Sequence, residues 1–350
     1  MFEFSIDELK ARVYKIYKRV GLCDEDARIM TDVLATTEIR GVFSHGFLRT
    51  RNYVNCLLKG GIKRNTELTV LFDSPSWAMV DGNEGLGIPT AYKATKIAIE
   101  KAKKTGVGIV NVRGSHHCGA VGYYAAMCAD EGMFGMCMSN GNRMVAVTGG
   151  RSVAIGNNPF SYAAPAGKYG KVLYDVAFSA VSDMKILDLR DKGLPMPADW
   201  AILKENGQPT TDPNDYCNGK AVLTPIAGHK GYGLAMMVEI MGAVMSGANI
   251  LKHVNAWSVN PDVPGNTGHF IMALDISKLS ATEDYAAKME AMIEELKESD
   301  RIDPEKAILY PGELEKMREE KAAATGKMTI SANTLSLIEA AEKLLDEAGL

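Results

Sequence analysis

The sequence predicts an α+β protein, with a β-sheet covered by helices and a helical unit to which both chain ends contribute. Three observations lead there. Apolar residues recur at helical spacing through roughly the first 60 positions. From residue 68 they change to short β-like runs broken by glycine and proline, alternating with amphipathic helices. The tail then returns to charged helices with an apolar stripe. Residues 1–66 with 310–350 are therefore expected to form the helical domain, and 67–309 the mixed domain.

Ser5-Ile6-Asp7-Glu8 is a capping box and starts the first helix. Its apolar stripe, Leu9, Val13, Ile16 and Val20, stops at Gly21; a second helix spans 27–39 before Gly41. A third is expected from about residue 44 to the Gly60-Gly61 stop. Strands follow at 68–72 and 77–80, then a helix over 88–104, a strand over 107–112, a glycine-rich loop, a helix and a strand over 133–138. Further strands are expected at 152–155, 171–179 and 269–275, with a helix over 232–245 and two last helices over 313–324 and 333–348.

With 350 residues, 46% hydrophobic and 23% charged, the chain can bury a large core. Its net charge of −4 gives no general attraction to nucleic acid or an anionic membrane. The most apolar run, 231–248, contains Glu239 and several glycines and is too interrupted to span a bilayer. An N-terminus with acids in place of bases, and six cysteines without a CxxC pair, point to a cytoplasmic protein with buried free thiols. A small-molecule partner is the expectation that remains.

Within Ser44-His45-Gly46-Phe47-Leu48-Arg49, followed by Tyr53, the residues His45, Arg49 and Tyr53 are four apart and would share one helix face. A 2-oxo acid needs a carboxylate clamp and a proton donor, which a forked guanidinium and an imidazole supply. A solvated face capped by Ser44, with Arg49 in a surface ion pair, explains the same spacing. The apolar neighbours Phe43, Phe47, Leu48 and Val54 argue for enclosure.

A second histidine site, Ser115-His116-His117-Cys118-Gly119, follows a strand and precedes a helix, where rigid elements present functional side chains. Hydrogen-bonded structural histidines at a helix start are the alternative. No metal is expected, because HExxH, HxH and CxxC are all missing. Glycines 82, 85 and 87 run in the order GxxGxG, not the Rossmann GxGxxG, and Gly228-His229-Lys230-Gly231 is no P-loop. Lys230 beside glycines at a helix start can nonetheless anchor a phosphate or ribose, or simply be solvated.

Taken in order, Ser44-His45-Gly46 with Arg49 and Tyr53, Ser115 to Gly119, Gly156-Asn157-Asn158-Pro159, Asp175-Val176-Ala177, Gly228 to Gly233, Gly265 to Phe270 and Pro311-Gly312-Glu313 resemble the type 2 malate/L-lactate dehydrogenase family. The resemblance covers nearly the whole chain. It implies a non-Rossmann nicotinamide-binding domain with a mixed, largely antiparallel sheet, a helical domain from both chain ends, and a homodimer with active sites near the interface. It further implies that His117 exchanges the proton, that Ser44, His45 and Arg49 face the substrate, and that Gly141, Asp175, Val176, Ala177, Lys230, Gly312 and Glu313 meet the cofactor; Tyr53 is expected to bind the substrate beside Arg49.

Two departures stand out: Phe178 replaces a family threonine, removing a hydroxyl, and Cys118 replaces an aromatic residue. The expected reaction is hydride exchange between a nicotinamide cofactor and a 2-oxo acid, with NAD as the cofactor and NADP left open. Spacing does not choose between His45 and His117 for the proton. A cyclic-imine acid reductase would use the same clamp and protonate nitrogen. A serine hydrolase built on Ser44 lacks GxSxG, and a non-catalytic ligand-binding protein would keep the motifs as relics.

Overall fold

A computed structural model of the chain describes residues 2–350. Its centre is a seven-stranded sheet ordered Thr69–Asp73, Trp77–Asp81, Val107–Ser115, Thr267–Asp275, Met133–Ser139, Phe160–Pro165, Lys171–Val176. Trp77–Asp81 and Val107–Ser115 pair in parallel, and every other neighbour pair is antiparallel. This is a mixed sheet and not the parallel one of a Rossmann domain.

Strand alternation divides the sheet's two cores. Along Thr267–Asp275, Ile271 and Ala273 join Ala94, Ala98, Val110 and Val112 under the helices Gly87–Thr105 and Gly122–Asp130. Phe270 faces the other way, against Val238, Met138 and Phe178. A smaller sheet on that side orders Ala201–Leu203, Ala221–Leu223, Arg143–Val145 and Ile155–Gly156.

Helices Ile6–Arg19, Asp24–Ile39, Thr50–Lys59 and Ala332–Glu347 share a third core containing Leu9, Val13, Val33, Leu57, Ile338 and Leu345. Ser5 caps the first of them by accepting the Glu8 N–H at 3.4 Å. The two chain ends also form an unexpected two-stranded antiparallel sheet, in which Phe2–Ser5 pairs with Lys327–Ile330 and Phe2 lies opposite Ile330. Neither Phe160–Pro165 nor the helix Thr282–Lys297 was expected from the sequence either.

All six cysteines are free; Cys56, Cys118, Cys128 and Cys137 are buried. Cys23 is exposed instead, because its sulfur caps the helix Asp24–Ile39 by accepting the Asp26 N–H. No helix among the described residues is long and apolar enough to cross a membrane. The apolar run at 231–248 forms the helix His229–Val238 and a π-helical turn, Glu239–Val244, beside the strand Thr267–Asp275.

Candidate active site

The expected continuous third helix is replaced by two 3-10 turns, Phe43–His45 and Phe47–Arg49, before Thr50–Lys59. His45, Arg49 and Tyr53 consequently do not share one α-helical face. The break lies at Gly46, whose φ of −85° and ψ of −148° are non-helical. Beneath it the buried carboxyl of Glu38 accepts the Phe47 N–H at 3.0 Å. A Cβ on Gly46 would come within 2.0 Å of Glu38 Oε2, so only glycine lets the loop fold over that group.

This detour sends His45 and Arg49 into a pocket of about 370 Å³, together with Ser44, His116, His117 and Trp257. Ser44 Oγ lies 2.8 Å from His45 Nδ1, and Arg49 Nε donates to the Ser44 carbonyl at 2.7 Å. That one bond orients the guanidinium. Among the described residues no carboxylate pairs with it, and its terminal Nη atoms have no protein partner.

Tyr53 is buried behind the pocket wall, with its hydroxyl 2.6 Å from His117 Nδ1. The Gly119 N–H also points at Nδ1, at 3.4 Å, which leaves His117 Nε2 without a protein partner. The His117 ring stacks on His45 at 5.3 Å and on Trp257 at 4.7 Å. Trp257 stacks on Tyr53 as well and meets His116 edge-on. It sits in a loop without periodicity, so sequence reasoning missed it.

These imidazoles are held neutral. Burial first, then the Arg49 charge, pushes His45 down to about 3. Burial also takes His117 well below its usual value, reinforced by His45 and Arg49. His116, lowered to about 3 by burial and by His269, has no partner for either ring nitrogen. An unpaired guanidinium beside neutral imidazoles is complementary to an anion, which would neutralise Arg49 and raise its neighbours' proton affinity.

Of the other candidates, Gly141, Asp175 and Ala177 line the same pocket, and Val176 ends the strand beside it. Asp175 accepts the Gly122 N–H at 2.8 Å. Surrounding protein pushes it up to about 6, although its open side to the pocket lets solvent weaken that effect. Gly312 packs on Leu173, and Glu313 is ion-paired with Lys297; neighbouring Leu173 and Glu315 reach the pocket, while those two do not. Lys230 is exposed at its helix start and stands outside the lining. Among the described residues, no three His, Cys, Asp or Glu side chains cluster as metal ligands.

Comparison with known proteins places this geometry. The family model for malate/L-lactate dehydrogenase matches residues 4–339. The chain is 40% identical to a malate dehydrogenase of Pyrococcus abyssi over 84% of this chain and 81% of that one. It is 35% identical to a malate/(S)-sulfolactate dehydrogenase of Methanothermus fervidus, over 92% of each. With a ureidoglycolate dehydrogenase (NAD(+)) of Escherichia coli it shares 30%, over 88% of this chain and 87% of that one.

Among solved structures, a malate dehydrogenase from Entamoeba histolytica superposes with a TM-score of 0.91 at 29% identity, covering 99% of this chain and 98% of the other. A Δ1-piperideine-2-carboxylate reductase from Pseudomonas syringae gives 0.85 at 26%, covering 97% and 100%. The chain therefore belongs to the malate/L-lactate dehydrogenase family and is an oxidoreductase of the 2-hydroxy acid class.

Proposed function

We propose that this enzyme interconverts a small 2-oxo acid and its 2-hydroxy acid, with Arg49 holding the substrate carboxylate and His117 exchanging the proton. The observation behind this reading is the pairing of an orphaned guanidinium with an imidazole whose Nε2 is unpartnered, both lining one pocket. Arg49 presents a fork that matches a carboxylate in bidentate geometry. To donate, His117 is the imidazolium: Nδ1–H gives to the Tyr53 oxygen, whose own hydrogen turns to the His117 carbonyl at 3.3 Å, and passing the Nε2 proton to the carbonyl oxygen returns the neutral ring. Charge neutralisation by the bound carboxylate raises the basicity of both histidines, which suits proton exchange near neutral pH. Ser44 and His45 position the substrate oxygen.

A reduced nicotinamide supplies the hydride when bound. The pocket fits such a group: Asn142 and Asn157 line it with side-chain amides that have no protein partner, and Gly141 leaves it open. NAD is the cofactor we assign, because Asp175, Asp183 and Glu315 line the pocket while Arg40 is already paired with Glu319. Acids suit ribose hydroxyls and repel a 2′-phosphate. In this reading residues 67–309 hold the cofactor, with contributions from Val176, Lys230, Gly312 and Glu313 at the margins, and 1–66 with 310–350 supply the substrate wall.

The active form we assign is a cytoplasmic homodimer. Its contact surface includes the apolar helix face of Leu234, Met236, Ile240, Val244 and Met245, all exposed in the single chain. Among the described residues no carboxylate orients His45 as a hydrolase base would require, which disfavours Ser44 as a nucleophile.

The test is oxidation of NADH or NADPH in the presence of oxaloacetate, pyruvate, a ureidoglycolate-related 2-oxo acid and Δ1-piperideine-2-carboxylate. Turnover of an oxo acid, faster with NADH, is expected. A preference for the cyclic imine would move the proton acceptor from oxygen to nitrogen, and inactivity with both cofactors across the panel would sink the reading.

A further inference from the structure

Glu239 is an acidic residue in an otherwise apolar helical run, only 6% exposed, and it sits where the helix His229–Val238 widens into a π-helical turn. Such turns recur at functional sites because an inserted residue re-aims a side chain. The Glu239 carboxyl accepts three bonds from three separate parts of the chain. Oε1 takes the Leu251 N–H at 2.8 Å and Asn140 Nδ2 at 3.4 Å; Oε2 takes Asn158 Nδ2 at 2.8 Å.

Each donor leads to the pocket. Asn140 lines it directly, and its own Oδ1 accepts the Gly268 N–H at 2.9 Å. Asn158 accepts the Gly141 N–H at 3.2 Å, so it fixes the glycine next along the pocket floor. Leu251 starts a short turn at a φ of +46°, and from there the chain runs to Val254, Asn255, Trp257 and Ser258 on the pocket's other side. Close packing allows the arrangement: a Cβ on Gly268 would lie 2.1 Å from the Gly242 carbonyl of the π-helical turn.

Held at a left-handed φ without a glycine, Leu251 is a strained position that persists only where its surroundings fix it. The Glu239 bond to the Leu251 N–H fixes it directly, beside the Asn249 side chain, which donates to the His253 carbonyl at 2.9 Å, and Asn140, which donates to the Asn249 carbonyl at 2.8 Å. We propose that Glu239 is a positioning residue for the reaction, its one carboxyl tying the Asn140–Gly141 floor to the segment that lays Trp257 against His117. Glu239 itself does not line the pocket. The catalytic part of this inference rests on the dehydrogenase reading above, whereas the mechanical part does not.

The test uses the full chain with Trp77 and Trp200 replaced by Phe, so that Trp257 alone fluoresces. In Glu239→Gln one acceptor oxygen becomes a donor facing an N–H, and Glu239→Asp, which is shorter by one methylene, serves if the first variant folds poorly. Acrylamide quenching of Trp257, measured without ligand, is expected to rise by roughly 2-fold or more in either variant. Thr31→Val, which removes a buried helix hydroxyl that does not line the pocket, should leave it unchanged. With NADH and oxaloacetate, kcat should fall by roughly 10-fold or more while KM moves less, the pattern of lost alignment.

Combining Glu239→Gln with Trp257→Phe should cost less in kcat than the product of the single effects, since both act on one contact. Wild-type quenching in a folded Glu239 variant overturns the proposal, as do fully multiplicative effects on kcat. Should the parent enzyme reduce no oxo acid, the dehydrogenase reading fails, and the quenching comparison still decides the role of Glu239.

Discussion

The Tyr53 hydroxyl lies 2.6 Å from His117 Nδ1, so a phenol buried in the core shared by the terminal helices sets the orientation of an imidazole that follows the strand Val107–Ser115. Tyr53→Phe leaves Nδ1 with only the long Gly119 contact. Catalytic efficiency should drop by about 10-fold, the loss of one hydrogen bond of roughly 1.5 kcal/mol. Steady-state kinetics at saturating NADH measures this, and an unchanged kcat would detach Tyr53 from the proton path.

Arg49→Lys keeps the charge and loses the planar fork along with the bond to Ser44. The efficiency with the 2-oxo acid should fall by roughly 10²-fold, with NADH affinity and melting temperature nearly unchanged. Wild-type kinetics in this variant would remove the loop from the active site.

His117→Asn and His45→Asn separate the two imidazoles. The first should lower kcat by about 10²-fold to 10⁴-fold, the range for a general acid. The second should raise KM more than it lowers kcat. NADH binding, followed by fluorescence, should survive both; a larger kcat loss at His45 would reverse the assignment.

Local signals in the sequence were legible, and long-range ones were not. Ser5 as a cap and the helix Gly87–Thr105 follow from periodicity within a few turns of chain. The strands Phe2–Ser5 and Lys327–Ile330 are four residues each and gain their identity only from one another. The spacing of His45, Arg49 and Tyr53 drew attention to a segment whose Ser44, His45 and Arg49 line the pocket, but the helix it suggested required ignoring Gly46. Glu38, which shapes that turn from below, looks like any polar residue of the helix Asp24–Ile39. Trp257 and Glu239 act through contacts that no local pattern encodes.

Stability should rise with pH from the acid side up to about 6.5. His45 and His116 are held near 3 and His269 near 4, while His117 is well below the ordinary 6.5. All four are neutral when folded and take up protons on unfolding below that value. Glu38 works in the opposite sense: burial raises it from 4.5 to about 7, so between those values the folded chain holds a proton that the unfolded chain lacks. Asp175, raised from 3.8 to about 6, acts in the same sense as Glu38, and four histidines outweigh these two carboxyls. Each net proton changes stability by about 1.4 kcal/mol per pH unit. Melting temperatures at pH 7 and pH 5 should therefore differ by several degrees, lower at pH 5; a flat profile would mean that these imidazoles are already charged in the folded chain.

Ile240→Glu together with Val244→Glu puts two charges on the exposed apolar helix face. Sedimentation should show a dimer for the wild type and a monomer for this variant. A wild-type monomer at micromolar concentration would refute the assembly.

The two-stranded sheet of the chain ends has a temporal meaning. Phe2 has its strand partner only once Ile330 has been made, and Ala332–Glu347, which packs on the Thr50–Lys59 helix and the Phe47–Arg49 turn, comes later still. Contacts this distant in sequence form late, since the intervening chain must close first. The sheet domain of a growing chain can therefore assemble around His117 while the wall bearing His45 and Arg49 still lacks its backing. The pocket is thus completed last, after the sheet that carries His117 has folded.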